Sequence, residues 1–166
     1  MVNYKLKMFL MVLFFLFIVI ESIYAQTDNR LNGRWFVIEN GIEVEYRFNN
    51  GNYETFIDGT SSDRGTYVTN NGSISMTLTH MFGAACNTFL GPIFEALSLS
   101  GYESKWYSTN EFIITTRQLL SGLELSDKDF NDFISEMISS ETMTYSVDAN
   151  TLILLSAMGT HILTKK

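Results

Sequence analysis

From residue 33 to residue 81 the chain alternates apolar and polar positions in short runs broken by Asn and Gly. In Ile42-Glu43-Val44-Glu45-Tyr46-Arg47-Phe48 every second residue is apolar and every intervening one is charged. That period of two requires a strand with one face in a core and the other in water. Residues 73–80 repeat it, with Ile74, Met76, Leu78 and His80 on one face and Ser73, Ser75, Thr77 and Thr79 on the other. Asn49-Asn50-Gly51 and Asn70-Asn71-Gly72 predict tight hairpin turns, because Asn and Gly accept positive φ. Residues 52–58 read as a strand with Tyr53 and Ile57 inward and Phe56 breaking the alternation. Residues 59–63 read as a loop before a strand over 64–69. The result is an antiparallel meander free of Pro.

The rhythm changes over residues 81–101, which hold Phe82, Phe89, Leu90, Ile93, Phe94, Leu97 and Leu99 with Glu95 as the lone charge. Pro92, after Gly91, suits the first position of a short helix through Leu97, where its missing N–H would be unpaired anyway. This excursion reads either as a plug or as a lid over a cavity entrance, with Phe89, Ile93 and Phe94 as candidate lid residues. Residues 103–108 and 111–118 read as a hairpin turned at Thr109-Asn110. A clear amphipathic helix follows. Ser126 is its N-cap with Asp129 three residues on, and Phe130, Phe133, Ile134, Met137 and Ile138 form its apolar stripe. Closing strands over 142–147, 151–156 and 160–164 complete the chain. The fold class is therefore mainly β: an antiparallel up-and-down barrel of about 8–10 strands, with one amphipathic and one short helix.

Residues 1–25 read as a secretory signal, with Lys5 and Lys7 before an apolar run over residues 8–20. Thirteen helical residues cover roughly 20 Å, short of a hydrocarbon core about 30 Å thick. Ile23 and Ala25 occupy the −3 and −1 positions of a cut before Gln26. Residues 26–166 then form one domain in a secreted or periplasmic protein, and membrane contact is expected only through an uncleaved signal. Loss of Lys5, Lys7 and Glu21 leaves nine basic and seventeen acidic residues, a net charge of −8. Scattered cations and an acidic balance argue against nucleic acid. Cys86 is the single cysteine, so no internal disulfide supports the fold; it reads as a small buried hydrophobe or, alternatively, a reactive thiol.

Leu31, Gly33, Trp35, Phe36 and Ile38 resemble the first motif of lipocalins, Gly-x-Trp opening the first strand just after a signal peptide. With the alternating hairpins, the chain resembles small exported lipocalin-like, calycin-type barrels of bacteria. A Thr-Asp-Tyr second motif is absent, and the long helix precedes the last strands. The resemblance implies an end closed by Gly33 and Trp35, a mouth at the other end, and a small apolar or amphipathic ligand inside. Arg117, Lys165 and Lys166 are the candidates for its late basic residue over the Trp. Inward candidates are Ile42, Val44, Tyr46 and Phe48, then Tyr53, Ile57 and Tyr67, then Ile74, Met76, Leu78 and His80. The same side chains could instead fill the barrel, leaving an interaction or inhibitor module with no small-molecule ligand.

Catalytic signatures are missing: the chain has no Gly-x-Ser-x-Gly, His-Glu-x-x-His, Cys-x-x-Cys or phosphate-binding Gly-rich loop. We expect no enzymatic activity and no cofactor. His80, Met81, Cys86, Met158 and His161 carry soft ligands that suit copper, but their spacing matches no ligand pattern, so no metal is expected. Glu39, Glu43 and Glu45 read as a solvated strand face in preference to a calcium site. N-terminal sequencing of the exported protein is expected to begin at Gln26; a sequence starting at Met1 would indicate a retained tether.

Overall fold

The computed structural model describes residues 27–157 and 159–166. The signal segment, its cleavage site and Met158 lie outside them. A 3-10 turn over Asn29–Leu31 leads into five strands joined hand to hand: β1 Gly33–Glu39, β2 Ile42–Asn49, β3 Asn52–Ile57, β4 Thr60–Asn70 and β5 Ser73–Phe82. All four connections are two-residue Asx-Gly turns, Asn40-Gly41, Asn50-Gly51, Asp58-Gly59 and Asn71-Gly72, with positive φ at both positions. Such turns match the right-handed twist of the strands they join. The expected loop at residues 59–63 is therefore replaced by a tight turn and the start of β4. Asp58, like Asn, tolerates the left-handed conformation.

Helices occupy the next stretch: α1 Gly83–Ala96, the short strand β6 Trp106–Ser108, α2 Thr109–Leu119 and α3 Asp127–Ile138. Strands β7 Glu141–Val147, β8 Thr151–Ser156 and β9 Gly159–Lys165 finish the chain. β9 pairs with β1, β8 with β7, β7 with β5 and β5 with β4, all antiparallel. The result is a closed eight-stranded antiparallel barrel with three helices and β6 appended to the end of β5.

Two helices differ from the sequence reading. α1 begins nine residues before Pro92, which sits inside it. Its buried Cys86, Leu90 and Phe94 are four residues apart, a stripe hidden by the apolar residues on its other faces. The expected second strand of the hairpin is α2. Ser108 accepts from the Glu111 N–H while the Glu111 carboxylate accepts from the Ser108 N–H, a capping box that outweighs the strand preference of Ile113 and Ile114. The α3 reading holds, with Ser126 accepting from the Asp129 N–H. Together the helices build a second core around Tyr102, Tyr107, Phe112, Phe130 and Ile134.

One end of the barrel is filled. Trp35 is fully buried, and its indole N–H donates to the Leu31 carbonyl at 2.6 Å. The Lys165 ammonium lies 5.0 Å from the Trp35 ring centre, whereas Arg117 covers Phe130 and Lys166 covers Phe36. Gly33 has φ of 135°, a backbone conformation that L side chains rarely adopt, which favours Gly where the chain enters the closed end. Phe48, Tyr67, Ile74, Leu152 and Leu163 complete this packed end.

On the outer face of β1–β3, Glu45 departs from the expected solvated position. Its side chain is buried between Phe36 and Phe56, and both guanidinium groups of Arg34 and Arg47 bind it at 2.5 Å. Arg47 also lies 3.6 Å over the Phe56 ring, which explains why Phe56 breaks the alternation. The hydrogen bond from Arg34, with that from Arg47, holds the Glu45 carboxyl at about 2 against an ordinary 4.5. Its stabilising contribution is therefore complete above about pH 5 and is lost as pH falls toward 2. Glu45→Gln is expected to lower unfolding free energy at pH 7 by about 1–2 kcal/mol, reduced by the solvent around both guanidiniums. Denaturant titration near pH 7 and near pH 3.5 checks this; a gap of equal size at both would refute it.

Candidate functional site

Above the packed end, the barrel interior opens into a cavity of about 440 Å³. Its existence follows from β5. Residues 73–76 of β5 pair with β7 and residues 80–82 with β6, leaving residues 77–79 without a strand partner on that edge. The wall parts there, and the helices that connect β5 to β7 cover the gap.

Two bulges set what faces inward. Thr55 opposes Asp63 while Phe56 opposes Ser61, so Ser62 is the extra residue on β4. Arg64 opposes His80 while Gly65 opposes Leu78, so Thr79 is the extra residue on β5. Each bulge shifts the period of two by one position. The second therefore turns Met81 into the cavity and His80 away from it.

The cavity wall comprises Val44 and Tyr46 of β2, Tyr53, Thr55 and Ile57 of β3, Ser62 and Asp63 of β4, and Met76, Leu78 and Met81 of β5. Met143, Leu154 and His161 close it on the far side. Phe89 of α1, Met137 of α3 and the following Ser139 and Glu141 approach from the helical cap. Of the residues expected inside, Val44, Tyr46, Tyr53, Ile57, Met76 and Leu78 line the space. Phe48, Tyr67 and Ile74 instead form the packed end beneath it. Ile42 is 44% exposed at the rim, because the tight Asn40-Gly41 turn carries the start of β2 beyond the barrel core.

His80 joins an outer groove of about 550 Å³ with Arg47, Glu54, Arg64 and Thr79. There Arg47 is held by Glu45, and Arg64 lies 4.4 Å over the Trp106 ring. Of the expected lid, Phe89 alone reaches the cavity; Ile93 is exposed and Phe94 is buried in the helical core. The copper set is dispersed as well. His80 faces outward, Met81 faces the cavity, Cys86 is buried in the helical core, and His161 Nδ1 lies 2.5 Å from Glu39 Oε1.

Sequence reasoning missed Thr55, Ser62, Asp63, Met81, Met137, Ser139, Glu141, Met143, Leu154 and His161. Alternation of Met143, Tyr145 and Val147 with Thr142, Thr144 and Ser146 pointed to Met143, and the period that places Gly65 and Tyr67 inward extends to Asp63 once the strand is seen to begin before it. Nothing local announced the bulges that admit Ser62 and Met81. Asp63 is the chemically distinctive member. Thr55 Oγ1 donates to it at 3.1 Å, and it forms no ion pair among the described residues. Burial is the largest influence on its carboxyl and raises it from the usual value, opposed by hydrogen bonds from Thr55 and Ser62. Burial also pushes the Tyr46 hydroxyl up to about 12 and that of Tyr53 higher still, so both stay neutral donors.

No family model and no curated protein matches this sequence. Among solved structures, the chain is similar to an uncharacterized protein from Bacteroides eggerthii DSM 20697, at 15% identity over 82% of this chain and 99% of that one, with a TM-score of 0.42.

Cys86, in the helical core, is fully buried, and desolvation pushes its thiol up to about 11. Iodoacetamide near pH 8 is expected to leave the native protein unmodified while alkylating the denatured chain completely, by intact mass. Rapid alkylation of native protein would contradict this burial.

Proposed function

We propose that this protein is an exported lipocalin-like binding protein that holds a small apolar or amphipathic molecule in its barrel. The observation that carries the reading is the 440 Å³ cavity, lined mainly by aromatic, aliphatic and Met side chains with a few polar groups. Its size and lining are those of small-molecule sites. The opposite end, closed by Trp35 under Lys165, supports the lipocalin-like comparison made from Gly33 and Trp35. The signal-like segment at residues 1–25 supports a role in the periplasm or outside the cell. The reading assigns no catalytic step.

A second reading rests on α1 and its C-cap, where Phe89 at the cavity edge, Ile93 and Leu97 are exposed at four-residue spacing. It makes the chain an interaction module with that stripe as its contact surface. It would gain support if apolar probes fail to bind and if Ile93→Asp shifts purified protein from oligomer to monomer by sedimentation.

Titration with the neutral probe N-phenyl-1-naphthylamine is expected to give saturable fluorescence enhancement. Leu78→Trp, which fills the wall beside the parted edge of β5, is expected to weaken probe binding about tenfold or more with thermal stability retained. No enhancement with wild-type protein, or equal enhancement with the variant, would refute binding in the barrel.

A further inference from the structure

Two acidic side chains, Asp63 and Glu141, line the cavity, and no Lys or Arg among the described residues does. Asp63 projects from the same cross-strand row as Trp35, Tyr46 and Thr55. Glu141 stands at its helical side. Every Lys and Arg among the described residues is engaged elsewhere. Arg30 binds Asp28; Arg34 and Arg47 bind Glu45; Arg117 binds Asp127; Lys105 binds Glu103; Lys128 binds Asp132; Lys166 binds Glu43. Arg64 and Lys165 cover Trp106 and Trp35. The remaining basic group at the wall, His161, faces Glu39.

A carboxylate inside a barrel, held by hydroxyl donors alone, lacks the counter-charge that makes such burial favourable. A neutral Asn in that row would accept the same Thr55 hydrogen bond without the cost of burying a charge. The Asp is explained if the occupant brings the positive charge. Tyr46 and Tyr53, which line the same wall, add ring faces that attract a cation.

We infer that the cavity takes an apolar molecule bearing a protonated amine, its ammonium seated on the Asp63 carboxylate and its apolar body against Tyr46, Tyr53, Met76 and Met81. This rests on the binding function proposed above and narrows it to a ligand class. At about 30 Å³ per water-sized unit, the space holds roughly fifteen heavy atoms, which suits a medium-chain or aryl-alkyl amine. Carboxylic acids of the same length are rejected by repulsion from Asp63 and Glu141.

Competition against N-phenyl-1-naphthylamine at neutral pH separates these terms, using octylamine, octanol and octanoate, which share one chain length. Octylamine is expected to displace the probe at a concentration about tenfold below that of octanol, with octanoate weakest. Asp63→Asn brings octylamine to within about threefold of octanol in the same protein, whereas Asp63→Glu and Glu141→Gln retain the preference. Equal displacement by octanol and octylamine, a preference that survives Asp63→Asn, or one abolished by Glu141→Gln overturns the Asp63 seat while leaving the binding function intact. Should Asp63→Asn fail to fold by circular dichroism, the wild-type ranking and Glu141→Gln decide. If the probe binds and none of the three compounds displaces it, the amine class falls and the binding function stands; if the probe does not bind, both fall.

Discussion

Strand β5 has two edges and three partners. Along one edge it stays with β4; along the other it serves β7 with its first four residues and β6 with its last three. Residues 77–79 are left between, and Thr109 Oγ1 takes up part of the deficit by donating to the Thr79 carbonyl at 3.0 Å. Backbone groups abandoned by one strand must find other partners, and here the N-terminus of α2 supplies one. The parting gives the barrel a roomy upper half, dictates where the helices sit, and makes the Thr79 bulge tolerable. Had β7 continued beside β5 to its end, the helical cap would have no gap to cover.

Two carboxylates show how the same chemical group is put to different ends by its surroundings. Glu45 lies on the outside under two guanidiniums, and their hydrogen bonds lower its pKa to about 2. Asp63 lies inside with hydroxyl donors only, and burial raises its pKa. The first is already neutralised by the fold and ties β1 to β2 over a patch of Phe36 and Phe56. The second has no basic partner among the described residues, only the hydroxyls of Thr55 and Ser62.

The barrel was legible in the sequence because its evidence is local. Alternation in residues 42–48 and 73–78 and two of the four Asx-Gly turns sufficed to define a meander, and Gly33 with Trp35 marked the closed end. The amphipathic α3 announced itself by cap and stripe together. Where the reading failed, a non-local or competing cause was at work. The Ser108–Glu111 capping box was overlooked beneath β-branched residues, and the apolar faces of α1 masked its periodicity. His80 went to the wrong side because a bulge arises from how two strands meet, not from the composition of either. The cavity, for its part, depends on the unequal reach of β5 and β7, which no single segment records.

The hairpins also bear on the order in which the molecule is assembled. Strands β1 to β5 meet their neighbours across two-residue loops, so their contacts are close in sequence and need little loop-closure entropy. The barrel itself closes only when Trp35 and Phe36 meet Lys165 and Thr164 at the far end of the chain. In a polypeptide that emerges N-terminus first, the meander can form early while one edge of β1 and one edge of β5 stand unpaired. Those edges await the last 26 residues, 141–166, which supply β7, β8 and β9. Until these arrive, the incomplete sheet presents open strand edges of the kind that recruit other chains. The C-terminal segment thus acts as the seal that ends this vulnerable interval, and a truncation there would leave a sticky half-barrel instead of a slightly shorter protein.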